Sequence, residues 1–341
     1  MPSDEDEWAI ADSAWWGRWF DRCAVRLRRG RAVGTGPLPP WSVPRGARVR
    51  HVEGTLLPGL RDAHVHSSLV DLRAVRAGGI AQVDDLGSVP ALIAELVAAD
   101  DPKLPRVRAV GAFLTAPGGY PSDRSWAPPG SFREVHSVID AETAVGEQHQ
   151  FGAQAIKVVL HPEAGPTLPA RVLKEIVSTA HDLKLPVIAH TEGDNTVRDA
   201  YEAGVDRLAH TPWTESIDDR LLTDVAQRMS WISTLDIHGY GADTVELRTA
   251  IDNLRRFFNR GGTTCYGTDL GNGPLPMGIN PREVAALQTA GLAPDDVLTA
   301  MTDLDNPATP PCWVPNGLDR PPSRFASSLR TARVLDPPPT S

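Results

Sequence analysis

From Gly59 onward, short apolar runs alternate with longer stretches whose apolar positions recur at helical spacing. The runs are LRDAHV, GIAQVDDL, RVRAVGAFL, AIKVVL, PVIAH, RLAHT, WISTL and TTCYGTD, and many of their residues are β-branched. Short apolar runs of this kind read as strands buried on both faces. Between them, PARVLKEIVSTAHDL puts Val172, Leu173, Ile176, Val177 and Ala180 on one helix face, and NTVRDAYEAG ends in a glycine cap at Gly204. Eight strand candidates with intervening helices over about 245 residues predict a (β/α)8 barrel. A doubly wound open sheet is the rival, but neither GxGxxG nor GxxxxGK[ST] occurs.

The first 57 residues follow a different pattern. Trp8, Trp15, Trp16 and Trp19 recur at near-helical spacing, and nine arginines fall between Arg18 and Arg50. This spacing predicts an amphipathic helix packed on the main body, with a homo-oligomer contact through exposed indoles as the alternative. CAVRLRRGRAVG and GARVRHVEGTLL predict short strands on either side of a Pro-rich segment, residues 36–45. The chain then divides into an N-terminal helix plus a small β subdomain (1–57), the barrel (58–305) and a Pro-rich extension (306–341) whose end, DPPPTS, is expected to be disordered. Two long irregular stretches, TAPGGYPSDRSWAPPGS and LGNGPLPMGIN, follow strands 3 and 8, where barrel enzymes place their substrate-facing loops.

Composition narrows the function classes. The 341 residues carry 34 basic and 43 acidic side chains, a formal charge of −9, with 41% hydrophobic and 23% charged residues. That is enough apolar material for a core, and the acidic balance argues against a nucleic-acid or anionic-membrane partner. No apolar run approaches a membrane span, and the opening MPSDEDEW has no signal-peptide character. Cys23, Cys265 and Cys312 are widely spaced thiols with no zinc-type pair, which suits a reducing, cytoplasmic setting.

The candidate chemistry sits at strand ends. His64 and His66 are two apart in PGLRDAHVHSS, and period two puts both imidazoles on one strand face. His190 closes PVIAH, His210 closes RLAHT, and Asp269 closes CYGTD. Singly, each reads as a hydrogen-bonded core histidine or a capping aspartate. Together, at the ends of strands 1, 5, 6 and 8, they form a ligand set suited to zinc and similar divalent ions. Lys157 lies inside AIKVVL, one of four lysines against thirty arginines. It is either a salt-bridged barrel lysine or a desolvated amine that takes up carbon dioxide, the carbamate then bridging two metals.

With PGLRDAHVH, the lysine of AIKVVL, the histidines of VIAH and LAH and the aspartate of GTD in this order, the chain resembles the amidohydrolase superfamily. It is most similar to the imidazolonepropionase-like and lysine-carboxylated, prolidase-related members. The resemblance implies a distorted (β/α)8 TIM barrel with a reduced N-terminal β-rich subdomain. It implies His64, His66 and Asp269 on one divalent ion, zinc foremost, and His190 and His210 on a second. N6-carboxylysine at Lys157 and a hydroxide would bridge the two. The tail lacks the usual ADLV-type return strand, and Thr191 and Glu192 stand where dipeptidase-like relatives carry an aromatic. Single-metal relatives do not need the lysine, so Lys157 points to the binuclear subgroup.

The implied activity is hydrolysis of an amide, cyclic amide or related C–N bond of a small molecule. Asp269 would move the proton, His238 would donate to the tetrahedral intermediate, and Asp62 would orient a ligand imidazole. Tyr120, Trp126, His238 and Tyr240 are the candidates for substrate contact, whereas His136, His149, His161 and His181 read as surface residues. The alternatives are a single-metal deaminase of the same superfamily, a lactonase or esterase, and a silent binding protein.

Overall fold

The N-terminal tryptophans lie on a hairpin, not a helix. In a computed structural model that describes residues 6–34, 36–99, 101–304 and 309–336, β1 (Asp6–Trp15) pairs antiparallel with β2 (Trp19–Arg28), with Trp15 opposite Trp19. Cys23, Val25 and Leu27, at the two-residue period of a strand, pack with Ala9 and Ala11 in a small core of their own. Trp15 instead enters the large core beside Leu57 and Leu60. A strand buried on both faces loses its alternation, and four indoles then mimic a helical stripe. The indoles form no exposed patch: Trp8 and Trp15 are buried, and Trp16 and Trp19 are half-buried.

β3 (Arg31–Ala32) extends the hairpin, and β4 (Arg48–Leu57) lies parallel to β1. The tail is not a separate extension. β15 (Cys312–Pro315) pairs antiparallel with β4, β16 (Arg333–Val334) pairs with β15, and both chain ends therefore build one six-stranded sheet. Gly54 makes that pairing possible, because a Cβ there would sit 2.1 Å from the Val314 carbonyl oxygen. Of the DPPPTS end, residues 337–341 lie outside the described residues.

The barrel strands run β5 (Arg61–Val65), β6 (Gln82–Asp85), β7 (Arg106–Ala109), β8 (Phe113–Thr115), β9 (Phe132–Glu134), β10 (Ile156–Leu160), β11 (Val187–Thr191), β12 (Arg207–Leu208), β13 (Ser230–Ile232) and β14 (Thr263–Cys265). All their pairings are parallel. β14 closes onto β5, with the Ala63 amide donating to the Tyr266 carbonyl at 2.9 Å and a bridge between Val65 and Leu270. The distortion lies at the third strand. RVRAVGAFL breaks at Val110–Ala112, so β7 pairs with β6 while β8 pairs with β10 and with the extra strand β9.

Outside the barrel, the helix Ala170–Asp182 buries Val172, Leu173, Ile176, Val177 and Ala180 against it, and Gly204 caps the helix Thr196–Ala203 in the left-handed conformation. Ala63, Leu86, Val110, Ala155, Ile188, Ala209, Ile232 and Cys265 cluster as a separate apolar plug drawn from successive barrel strands. The three cysteines are free and buried. Among the described residues no helix is long and apolar enough to cross a membrane.

Candidate active site

The expected ligand residues converge on one cavity of about 460 Å³, whose lining includes His64, His66, Lys157, His190, His210 and Asp269. The register of β5 against β6 shifts between Asp62 and Val65. Ala63 can therefore join the apolar plug while the next residue, His64, lies against Asp269. The imidazoles form a row across strands 1, 6 and 5, with ring centroids 4.7 Å apart for His64–His210 and 4.9 Å for His190–His210.

Hydrogen bonding decides which nitrogens are available. His64 Nδ1 is 2.9 Å from the Ala209 carbonyl, and His66 Nδ1 is 3.2 Å from the Gly87 carbonyl. A carbonyl only accepts, so both Nδ1 atoms carry protons and each neutral ring is left with a bare Nε2. Those two Nε2 atoms lie 3.0 and 3.2 Å from a single oxygen, Asp269 Oδ1, which makes no aligned hydrogen bond of its own. Three acceptors facing one point need a cation or a proton between them. Among the described residues these three form the one group whose ligand atoms all lie within 4.8 Å, so this donor set fits a divalent metal.

The surroundings hold the triad in place. Asp269 has φ +58°, a left-handed conformation unusual for a side-chain-bearing residue, and Asn272 Nδ2 donates to its Oδ2 at 2.9 Å. Asp85 accepts from the amides of Ser67 and Gly87, fixing both the turn after His66 and the turn after β6 whose Gly87 carbonyl meets His66 Nδ1. A Cβ at Gly87 would sit 2.2 Å from Phe113 Cζ, so this approach requires glycine. Asp62 does not touch an imidazole. It accepts from the amides of His64 and Thr268 and from the Thr268 hydroxyl, clamping strand 1 to the segment that carries Asp269.

Burial sets the charge states. It pushes His64 down to about 4 and holds His190 and His210 low, so these rings are neutral near pH 7. Burial also opposes protonation of His66, but Asp269 and Asp85 outweigh it and lift His66 above its ordinary value. Burial works against ionisation of Asp269, and the surrounding histidines overcome it, keeping the carboxyl well below its usual range. Lys157 is 1% exposed, and desolvation brings its amine down to about 7 against the pull of Asp269 and Asp85.

His210 Nδ1 is held 2.9 Å from Thr234 Oγ1, and His190 Nε2 is 3.2 Å from Glu192 Oε2. Tyr120 stacks on His190 at 5.6 Å, and Trp126 stands 6.5 Å from His66. His238 lines the cavity with a buried Nε2 that has no hydrogen-bond partner, its ring 4.6 Å from Trp213. Tyr240 stands outside the lining, its hydroxyl donating to the Asn272 carbonyl. His161 is not a surface residue: its ring lies 5.3 Å from Tyr120, and its Nε2 is 3.4 Å from Glu192. His136, His149 and His181 are exposed as expected. Sequence reasoning also passed over Glu192, Trp213 and Phe113 as site residues. The first two follow His190 and His210 by two and three residues, a spacing that could have marked them.

The chain belongs to the amidohydrolase family, whose model matches residues 72–303. Uncharacterized protein Rv2915c of Mycobacterium tuberculosis (strain ATCC 25618 / H37Rv) is 27% identical over 277 residues, covering 72% of this chain and 72% of its own length. Among solved structures, A. niger ochratoxinase matches with a TM-score of 0.77 and 16% identity, covering 97% of this chain and 95% of that one. A Xaa-Pro dipeptidase with bound methionine matches with a TM-score of 0.76 and 15% identity, covering 96% and 97%. Phenylurea hydrolase B matches at 0.72 and 14%, covering 97% and 95%. At these identities the structural likeness shows the shared barrel fold.

Proposed function

We propose that this protein is a metal-dependent hydrolase that cleaves an amide, cyclic amide or related C–N bond of a small molecule. Its main support is the convergence of two bare imidazole nitrogens and an unpaired carboxylate oxygen on one point of the cavity. His64, His66 and Asp269 would hold one divalent ion, and His190 and His210 a second. Lys157, fully buried with its pKa near neutrality, would serve both as N6-carboxylysine. The imidazole and carboxylate donors favour zinc. When bound, such ions make a water nucleophilic at neutral pH and polarise the scissile carbonyl.

The chain's own residues divide the remaining work. Asp269, oriented by Asn272, accepts the proton from the attacking water and returns it to the leaving nitrogen. His238, which burial holds down at about 4 and therefore neutral, donates from its otherwise unpartnered Nε2–H to the developing oxyanion. Tyr120 and Trp126 cover the mouth and limit access of bulk water.

A single-metal deaminase draws support from the tight triad alone, since His190, His210 and Lys157 stand outside it. Elemental analysis of protein prepared with zinc and bicarbonate, joined to a panel of amides, lactones and aminopurines, separates the two. About two ions per chain and turnover of amides are expected. One ion with turnover of aminopurines would overturn the binuclear hydrolase.

A further inference from the structure

Building on that hydrolase reading, we infer that the substrate carries a protonated nitrogen, an amine or guanidine, and that Glu192 is the residue that selects it. The cavity is of a size for a small molecule, and its walls are aromatic: Phe113 on β8, Tyr120 and Trp126 on the loop that follows it, and Trp213 on the loop after β12. Among the described residues its lining holds one lysine, Lys157, sealed at 1% exposure, and no arginine. Arg124 lies 5.4 Å over the Tyr120 ring but outside the lining, with its Nε 3.3 Å from Asp123. A substrate carboxylate placed beside Glu192 would face that acid with no arginine or free lysine in the lining to offset it, which selects against it at that position.

Glu192 has the features of a cation receptor. Its side chain is 28% exposed, open enough to meet a ligand and enclosed enough to be partly desolvated. Both of its fixed contacts use a single oxygen: Oε2 lies 3.2 Å from His190 Nε2 and 3.4 Å from His161 Nε2. Oε1 makes no hydrogen bond to any described residue. Its two imidazole partners are walled by aromatic rings: Tyr120 stacks on His190 and meets His161 edge-on at 5.3 Å, while Trp213 stands 6.0 Å from His190. A partly desolvated carboxylate with one oxygen left free attracts an ammonium or guanidinium through a charge-assisted hydrogen bond.

The test titrates the metal-loaded, full-length protein with benzylamine and benzyl alcohol, one ring carrying or lacking the charge. Calorimetry and quenching of tryptophan fluorescence read binding without requiring turnover. Benzylamine is expected to bind at least about 10-fold more tightly, the scale of a charge-assisted hydrogen bond. Glu192→Gln should abolish most of that preference, and Glu192→Asp should retain part of it. Equal binding of the two ligands, or a preference that survives in Glu192→Gln, would overturn the inference. So would loss of metal from Glu192→Gln, which would make Glu192 a metal ligand. If amides are hydrolysed but no amine preference appears, this inference fails and the hydrolase stands. If the preference holds while amides, lactones and aminopurines are all refused, the hydrolase fails and the role of Glu192 in binding stands.

Discussion

His64 Nδ1 donates across the barrel to the carbonyl of Ala209 at 2.9 Å, so strand 6 dictates which nitrogen strand 1 offers to the cavity. The bare Nε2 then shares Asp269 Oδ1 with His66. Against burial, Asp269 and Asp85 raise the folded pKa of His66, so in metal-free protein falling pH places on its Nε2 the proton that this point can hold instead of a cation. A raised folded pKa means stabilisation that is fully present below the unfolded value of 6.5 and lost as pH rises through the folded one. Metal-stripped wild type should therefore lose thermal stability relative to stripped His66→Gln as pH rises through that window. Zinc affinity should change the opposite way, strengthening with pH as the competing proton leaves. A pH-independent difference in Tm between the two proteins would refute the proton's role.

Lys157 links burial to loading of the site. A carbamate forms only from the neutral amine, and desolvation brings the lysine down to about 7, so the neutral form gains as pH rises from about 6 to 8. At constant dissolved carbon dioxide, metal uptake by stripped protein should rise steeply across that interval. Lys157→Ala should lose metal and activity together, with partial rescue by a short carboxylic acid. Two ions and normal turnover in Lys157→Ala would leave the lysine a structural residue.

The barrel is legible in the sequence because its strands are buried on both faces and separated by helices of regular period; Val172, Leu173, Ile176, Val177 and Ala180 face inward as that period requires. The hairpin is hidden because Trp15 and the alanines of β1 are buried in different cores, which erases the two-residue alternation. The return of the tail is hidden because β16 is two residues long and β15 four, too short for any period. In the site, the strand-end residues are legible by position, since parallel strands deliver their last residues to one mouth. His161 is not, because a turn after the strand brings it in and no periodicity governs a turn, and Glu192 is marked only by standing two residues after His190.

The loop after strand 3 is the next point to probe. Tyr120 is anchored through its carbonyl, which accepts from the Thr115 hydroxyl at 2.8 Å, and Gly118 is tied by its amide to Glu134. The rings of Tyr120 and Trp126 lie 5.9 Å apart over the histidines. Replacing residues 118–127 by a short Gly/Ser linker removes these rings and leaves every candidate ligand in place. Metal content should stay within error of wild type, while kcat/KM falls by about 10-fold or more through lost positioning. Unchanged kinetics on a good substrate would make the loop scaffolding.

Asp269 separates ligation from proton transfer. Its two oxygens have different neighbours: Oδ1 faces the two imidazoles, and Oδ2 accepts from Asn272 Nδ2 at 2.9 Å. Asp269→Asn keeps one oxygen that can coordinate weakly but removes the base, so activity should fall far more than metal content, by about 10²-fold or more in kcat. Asn272→Ala leaves the base and both oxygens and removes only the hydrogen bond that orients them. A hydrogen bond to a charged group is worth about 1.5–3 kcal/mol, and because the base itself stays in place the loss should fall at the low end of that range, near 10-fold in kcat. The acidic limb of the rate profile should also move to higher pH, because the carboxylate has lost a donor that favours its charged form. A merely structural Asn272 would leave that limb where it is. If Asp269→Asn hydrolyses the same amide at an undiminished rate with its metal retained, the proton travels by another group and Asp269 serves only as a ligand.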